Sequence, residues 1–378
     1  MSNKKNLGFG LMRLPMVDGK VDLPLCCEMA DRFLEAGGTY FDTALMYCGE
    51  QSEAAVKEIV TNRLPRDKFT VATKLHAGFF HSLEDRDTVF NAQLERTGVD
   101  YFDYYLIHAI DRNCYEKYTR LDCFNWLVEK KQQGLAKHIG FSFHDSAAFL
   151  DRVLTEHPEM EFVQLQLNYL DWDSEDVQSR LCYETARRHG KPVIVMEPVK
   201  GGILANLPEP AEALMKAAHP DWSPASWALR FVMELPGVQT VLSGMSNREQ
   251  MLDNIATSTD PYLLSEADHA VIRQVAAILR GQTSIPCTGC AYCVTDCPMS
   301  IPIPRCFSIY NEDQQLYGGA GKNWDGSVWT PASTYYDNLV KEQNGAAACI
   351  GCGACAAHCP QHLDIPALLK DVAARFGG

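Results

Sequence analysis

No stretch of this 378-residue chain approaches the run of about 18 apolar residues that a membrane span requires. Positive charge is also short: 34 Lys and Arg stand against 48 Asp and Glu, a formal net charge of −14. That balance argues against a nucleic-acid partner or an anionic membrane surface. The opening Met1-Ser-Asn-Lys-Lys-Asn is charged and no apolar segment follows it, so no secretory leader is expected. Many cysteines without an export signal then point to a reducing cytoplasm. No low-complexity tract interrupts the chain. No G-x-G-x-x-G follows the first apolar run, which removes the main support for an open dinucleotide-binding sheet. What remains is ordinary for a globular protein, with 46% hydrophobic and 22% charged residues, in a length that suits one large domain and one small one.

Cysteine is the exception to this ordinariness. Of 15 cysteines, eight fall in two copies of C-x2-C-x2-C-x3-C-P: Cys287, Cys290, Cys293 and Cys297 before Pro298, and Cys349, Cys352, Cys355 and Cys359 before Pro360. This is the ligand spacing of bacterial two-cluster ferredoxins. Three thiolates in one tight loop serve one cubane cluster, and the fourth, beside proline, crosses to the other. Two [4Fe-4S] clusters are therefore expected, one on Cys287, Cys290, Cys293 and Cys359, the other on Cys349, Cys352, Cys355 and Cys297. Gly289, Ala291, Gly351, Gly353 and Ala354 let the backbone wrap closely and offer amides to cluster sulfurs. Zinc normally takes two C-x2-C pairs from separate knuckles, a different arrangement. The other seven cysteines (26, 27, 48, 114, 123, 182 and 306) are scattered and read as reduced thiols.

Before the cysteines, short apolar runs alternate with segments of helical spacing. Strands are predicted over 7–12, 39–42, 69–73, 104–107, 138–141, 162–167, 192–196 and 240–242. Helices are predicted over 25–36, 52–61, 83–97, 123–133, 147–154, 176–189, 224–235 and 248–255. Eight strand–helix units in about 250 residues are the arithmetic of a closed (β/α)8 barrel, an α/β fold. A further amphipathic helix, 265–280, has Ser265 as N-cap and Asp268 at capping-box distance. The chain is thus divided into a TIM barrel, 1–264, and a helical linker with a small ferredoxin-like iron–sulfur domain, 265–378.

In such a barrel the chemistry sits at the C-terminal ends of strands. Those ends carry Asp42, with Tyr47 just beyond it, then Lys74 and His108. Tyr47 would be the general acid for a carbonyl oxygen. Lys74 beside it would favour the phenolate and lower a pKa that is ordinarily near 10. Asp42 would hold the Lys74 ammonium, and His108 would orient the carbonyl or relay a proton.

The pieces Gly8-Phe-Gly-Leu-Met-Arg-Leu-Pro, Phe41-Asp-Thr-Ala-x-x-Tyr47, Thr73-Lys74, Asp100-Tyr-Phe-Asp-Tyr-Tyr-Leu-Ile-His108, Ile139-Gly-Phe-Ser142 and Pro236-Gly, taken in order, resemble the aldo-keto reductase superfamily over about residues 7–256. With the C-terminal cysteines the chain is similar to the subgroup carrying a fused two-cluster ferredoxin-type domain. The resemblance implies NADP or NAD across the barrel mouth. Ser142 and Gln164 would bind the carboxamide, with Asn168 on the same strand end and Met12 and Met196 packing nearby. Gly244, Ser246, Gln250 and Asn254 would line the pyrophosphate and adenosine. Arg248 and Lys200 are the basic residues available for a 2′-phosphate. Phe143 and His144 stand where the family commonly has Asn, and Met196 where it often has an aromatic ring.

Three readings follow. The first is NAD(P)H-dependent reduction of an aldehyde or ketone, or the reverse, with clusters that stabilise the fold or exchange electrons. The second is a ferredoxin-linked reductase in which another electron carrier feeds the clusters, and through them a barrel-bound flavin or substrate; hydride moves two electrons and a [4Fe-4S] cluster one. The third is an electron-transfer or assembly module with a non-catalytic barrel.

Overall fold

The computed structural model describes residues 6–112, 114–175, 177–281, 284–287, 289, 291–295, 297–317, 330–357, 359 and 361–377. The chain forms two compact units, 1–273 and 274–378.

The first unit is a closed parallel barrel of eight strands: β1 Asn6–Gly10, β2 Tyr40–Asp42, β3 Thr70–His76, β4 Phe102–Ile110, β5 Ala136–Phe143, β6 Phe162–Gln166, β7 Val193–Met196 and β8 Val238–Ser243. Neighbours pair in sequence order, and β1 closes the ring by pairing with both β2 and β8. All eight sequence-predicted strands are present. Their short apolar runs are buried on both faces, by the barrel interior and by the surrounding helices.

The pleat organises the interior. Tyr40, Ala72, Leu106, Phe162, Ile194 and Leu242 form one buried layer, with Tyr104 packed against it. Side chains two residues further along each strand return to the same face. That step places Asp42, Lys74, His108, Gln164 and Met196 above the layer, and Ser142 two residues beyond Gly140 on β5. Gly140 belongs at the layer's level for a steric reason. It pairs in register with Phe162, and a Cβ there would meet the Phe162 carbonyl oxygen at 2.4 Å and its ring at 2.8 Å.

The predicted outer helices are found at Leu23–Glu35, Ser52–Val56 continuing through Thr61, Leu83–Thr97, Cys123–Gln132, Ala147–Glu156, Ser179–Arg188, Pro224–Met233 and Arg248–Thr259. Two more, Tyr115–Arg120 and Glu209–Ala218, and a small hairpin, Met16–Val17 with Lys20–Val21, were not anticipated. The helix Glu266–Gly281 starts with the predicted capping box: the Asp268 amide donates to Ser265 Oγ at 3.2 Å, and the Ser265 amide to Asp268 Oδ2 at 2.8 Å. Asp268 also accepts from His219 and from the Tyr262 hydroxyl.

The second unit is helical. Ile303–Tyr317, Pro331–Glu342 and Ile365–Phe376 bury Phe307, Ile309, Tyr336, Leu339, Leu369 and Val372 between them. Asp313, fully buried, is held by Arg375 at 2.5 and 2.7 Å and by the Thr330 hydroxyl at 2.7 Å. Tyr336 stacks on Phe376 at 4.6 Å. Among the described residues no helix is long and apolar enough to cross a membrane.

Gly140→Ala is expected to destabilise the barrel by about 1–3 kcal/mol, the usual cost of overpacking a full interior. The urea midpoint of the barrel transition measures this, and an unchanged midpoint would show that the layer yields freely.

Candidate functional site

Strand β2 ends at Asp42, and the chain leaves it through Thr43 to Tyr47. The loop is anchored to the segment after β1: Thr43 Oγ1 and Ser52 Oγ lie 2.7 Å apart, and Ser52 Oγ donates to the Leu11 carbonyl at 3.0 Å. It turns back through Cys48, Gly49 and Glu50, all with φ between 51° and 66°.

Lys74, the fifth residue of β3, reaches across with a fully buried side chain. Its Nζ donates to Asp42 Oδ1 at 2.6 Å and to the Thr43 carbonyl at 2.9 Å. It also lies 5.0 Å from the centre of the Tyr47 ring. Behind it Gln93 donates to the Lys74 carbonyl at 3.0 Å and to Glu53 at 2.7 Å, and the Thr73 hydroxyl donates to the same Glu53 carboxylate. Burial opposes the Lys74 charge, but Asp42 and Tyr47 outweigh it, so the ammonium pKa is raised.

Tyr47 departs from expectation. Burial raises its pKa above 10 and outweighs the downward pull of the Lys74 charge and hydrogen bond; Asp42 and Glu197 add to the rise. Lys74 therefore moderates the phenol without making it more acidic than usual. The sequence showed the cation but not that burial would outweigh it.

His108 closes the group. Its ring centroid lies 6.0 Å from that of Tyr47, nearly perpendicular. The β4–β5 register shifts between Ile107 and Ile110, and Ala109 sits at φ 53°, so a bulge follows His108 and re-aims it. The Ala109 amide donates to Ser142 Oγ at 2.7 Å. Burial pushes the imidazole well below its ordinary pKa, and His76, Lys74 and His144 push in the same direction, so His108 is neutral at physiological pH. Asp42, Tyr47, Lys74 and His108 are thus brought together.

The dinucleotide candidates divide into two groups. Gln164 is 2% exposed; its Nε2 donates to Met196 Sδ at 3.6 Å, and its Oε1 is buried without a partner. Asp42 Oδ2 and His108 Nδ1 are unpaired in the same layer. An amide N–H donor presented to Gln164 fits that orphaned oxygen. Ser142 keeps its own hydroxyl proton for a second contact. Met12 and Met196 are partly buried.

Apart from Gly244, the other candidates are bonded within the chain. Asn168 is fully buried, donating to Asp171 at 2.7 Å and accepting from the Leu170 and Asp171 amides. Ser246 Oγ donates to the Arg13 carbonyl, Gln250 Oε1 accepts the Ser246 amide, and Asn254 donates to Ser243 Oγ. Gly244 is exposed at the end of β8, with the Arg13 side chain beside it. Arg248 makes a bidentate pair with Glu28 at 2.5 and 2.6 Å. Lys200 is buried against Asp171 at 2.6 Å. His76, Glu53 and Glu197 surround the four central residues and were not singled out by the sequence. A polar residue two positions after Lys74 on one strand is the signal that would have found His76.

In the second unit the cysteines line two cavities. One is bounded by Cys287, Cys293 and Cys359, with Ile303, Phe307 and Ile365; the other by Cys297, Cys349, Cys352 and Cys355, with Ile301 and Ile303. Cys290 lies outside the described residues. The two cysteine loops repeat one backbone course. Gly289 and Gly351 have φ of 71° and 70°, and Ala291 and Gly353 have 61° and 75°. Ser300 and His362, three residues after the fourth cysteine of each copy, have 51° and 54° and donate to the Cys297 and Cys359 carbonyls at 2.9 and 3.0 Å. The remaining cysteines are free thiols, and burial pushes Cys26, Cys123, Cys182 and Cys306 to about 12, where they are unreactive.

Comparison with known proteins finds a family match for each segment of the chain. The aldo/keto reductase family model matches residues 6–277, and a 4Fe-4S dicluster domain model matches 286–363. An aldo-keto reductase of Mycolicibacterium vanbaalenii is 32% identical over 224 residues, covering 59% of this chain and 74% of that protein. The NADH-specific methylglyoxal reductase of Escherichia coli is 25% identical, covering 70% and 91%. A crystal structure of an aldo-keto reductase from Klebsiella pneumoniae in complex with NADPH shares the fold, with a TM-score of 0.57 and 18% identity over 73% of this chain and 96% of that one. The protein belongs to the aldo/keto reductase family of oxidoreductases and carries a C-terminal 4Fe-4S dicluster domain.

Proposed function

We propose that the barrel, taken as residues 1–264, reduces an aldehyde or ketone with NADPH or NADH, or runs the reverse reaction, and that Tyr47 is the proton donor. The observation that carries this reading is the buried Asp42–Lys74 pair beside Tyr47, with His108 completing the group. Gln164 and Ser142 would hold the carboxamide of a nicotinamide, which would supply the hydride for the carbonyl carbon. Tyr47, with a pKa above 10, is a phenol throughout the neutral range and has the proton to give. The charged Lys74 ammonium stabilises the phenolate left behind. His108, neutral, orients the carbonyl oxygen without competing as an acid. The methylglyoxal reductase among the relatives supports a small carbonyl substrate.

For the second segment, residues 265–378, we propose two [4Fe-4S] clusters with crossed ligands: Cys287, Cys290, Cys293 and Cys359 for one, Cys349, Cys352, Cys355 and Cys297 for the other. The lining of the two cavities supports it, since Cys359 falls with the first cysteine run and Cys297 with the second. Such clusters would pass single electrons, with a ferredoxin or another one-electron carrier as partner.

Tyr47→Phe should lower kcat for carbonyl reduction by about 10²–10⁴-fold, the worth of a positioned acid, with little change in the KM for the dinucleotide. A loss below about tenfold would remove Tyr47 from the role. The reduction rate should stay level through neutral pH and fall only as the pH rises through the raised phenol pKa; alcohol oxidation, which needs the phenolate, should climb over that same alkaline range. A reduction optimum that tracks an acidic group near neutrality contradicts this assignment. Cys359→Ser should disturb the cluster held by the first cysteine run, read from paramagnetic resonance of the reduced protein; loss of the other cluster's signal would reverse the ligand assignment.

A further inference from the structure

The mouth of the barrel holds imidazoles that the proposed reduction leaves unused. His76 ends β3, two residues after Lys74, so the pleat returns it to the same face one step higher. Its ring meets that of His108 edge-on at 5.2 Å and that of Phe79 at 5.9 Å. Its Nδ1 accepts the Gly78 amide at 3.0 Å. In the neutral ring the proton therefore resides on Nε2. Burial lowers its pKa, with Asp111 opposing and Lys117 reinforcing. His144, just beyond β5, is pushed by burial to about 4 and also acts on His108.

This corner thus offers hydrogen-bond donors without positive charge. Two lysines of this corner are held within the chain: Lys74 by Asp42 and the Thr43 carbonyl, and Lys117 by the Ala77 carbonyl at 2.5 Å, with its Nζ 5.0 Å from the Phe80 ring centre. The neighbouring carboxylates add negative potential, Glu197 at Tyr47 and Asp111 at His76. A substrate carboxylate next to the carbonyl would meet this negative field. A hydroxyl or a second carbonyl would meet an N–H.

We infer that His76 is a specificity-determining residue that selects uncharged carbonyl substrates with an oxygen on the adjacent carbon: 1,2-dicarbonyls and 2-hydroxy aldehydes or ketones. Its Nε2–H donates to the second oxygen while Tyr47 and His108 hold the first. The inference rests on the carbonyl reduction proposed above.

The test uses the full-length, iron–sulfur-loaded protein and four probes of equal carbon number: propanal, 2-hydroxypropanal, 2-oxopropanal and pyruvate. For the wild type, kcat/KM with the two neutral oxygenated probes should exceed that with propanal by about tenfold, the worth of one neutral hydrogen bond, and pyruvate should be the poorest. His76→Leu should erase the preference while leaving propanal nearly unchanged, and His76→Gln, which keeps an N–H donor, should restore part of it. Equal turnover of propanal and its oxygenated analogues by the wild type overturns the inference, as does a uniform loss on all probes in both variants. Tyr47→Phe separates the two levels. Unselective turnover that this variant abolishes defeats only the role of His76; turnover that it leaves intact defeats the underlying reaction as well.

Discussion

The buried contact between Lys74 and Asp42 constrains everything around it. Both side chains are almost wholly removed from water, and the ammonium is held by a carboxylate and a carbonyl. Burying two charges is costly, and a well-packed apolar pair of the same volume would often be as stable or more so, whereas removing one partner costs about 3–5 kcal/mol. The contact is therefore poorly explained by stability and well explained by chemistry. It holds a full positive charge next to Tyr47, and that charge also helps keep His108 neutral. The layer behind it is built to hold it still: Gln93 accepts the Tyr105 hydroxyl and donates to both Glu53 and the Lys74 carbonyl.

One geometric rule then distributes the polar residues. The barrel interior is apolar at the level of Ala72, Leu106, Phe162 and Ile194, and a step of two residues along the same strands brings Lys74, His108, Gln164 and Met196 to the next level. The apolar layer is the floor of the site, and its tightness transmits to the polar layer above. Gly140 shows how tight: the Phe162 ring occupies the space that any larger residue would need. The iron–sulfur segment follows a different rule, duplication. Two cysteine loops with matching left-handed residues and matching closing turns create two similar cavities, both touching Ile303.

The sequence made much of this visible. Strands buried on both faces read as short apolar runs, and the polar residues toward the C-terminal ends of three of them stood out because a strand end facing the mouth has little other reason to be Asp, Lys or His. The helix Leu83–Thr97 matches its predicted bounds to the residue; Ser82 and Asp85 cap one end and Gly98 closes the other. Other features depended on distant parts of the chain. Arg248 read as available for a phosphate, but Glu28, 220 positions away, holds two of its three guanidinium nitrogens. Asn168 read as a cofactor contact, but Asp171 and two amides use its side chain. The proximity of Lys74 suggested a more acidic Tyr47, and only the folded environment shows that desolvation prevails. The helix Glu209–Ala218 was missed because its stretch is introduced by Pro208 and Pro210, which read as loop residues although proline suits a first helical turn.

Two kinds of electron chemistry are proposed for this chain: hydride, which moves electrons in pairs, at the barrel, and iron–sulfur clusters, which move them singly, at the cysteine loops. The measurement that separates them is isotopic. The iron–sulfur-loaded protein would turn over an aldehyde in ordinary water with NADPH or NADH deuterated at the transferable C4 position, and the product alcohol would be analysed by mass spectrometry and proton resonance. The account predicts one deuterium on the former carbonyl carbon of each product molecule. Product that carries only solvent hydrogen there would mean that the electrons arrive by another route, and would contradict the assignment of Tyr47, Lys74, Asp42 and His108 to a hydride-transfer site.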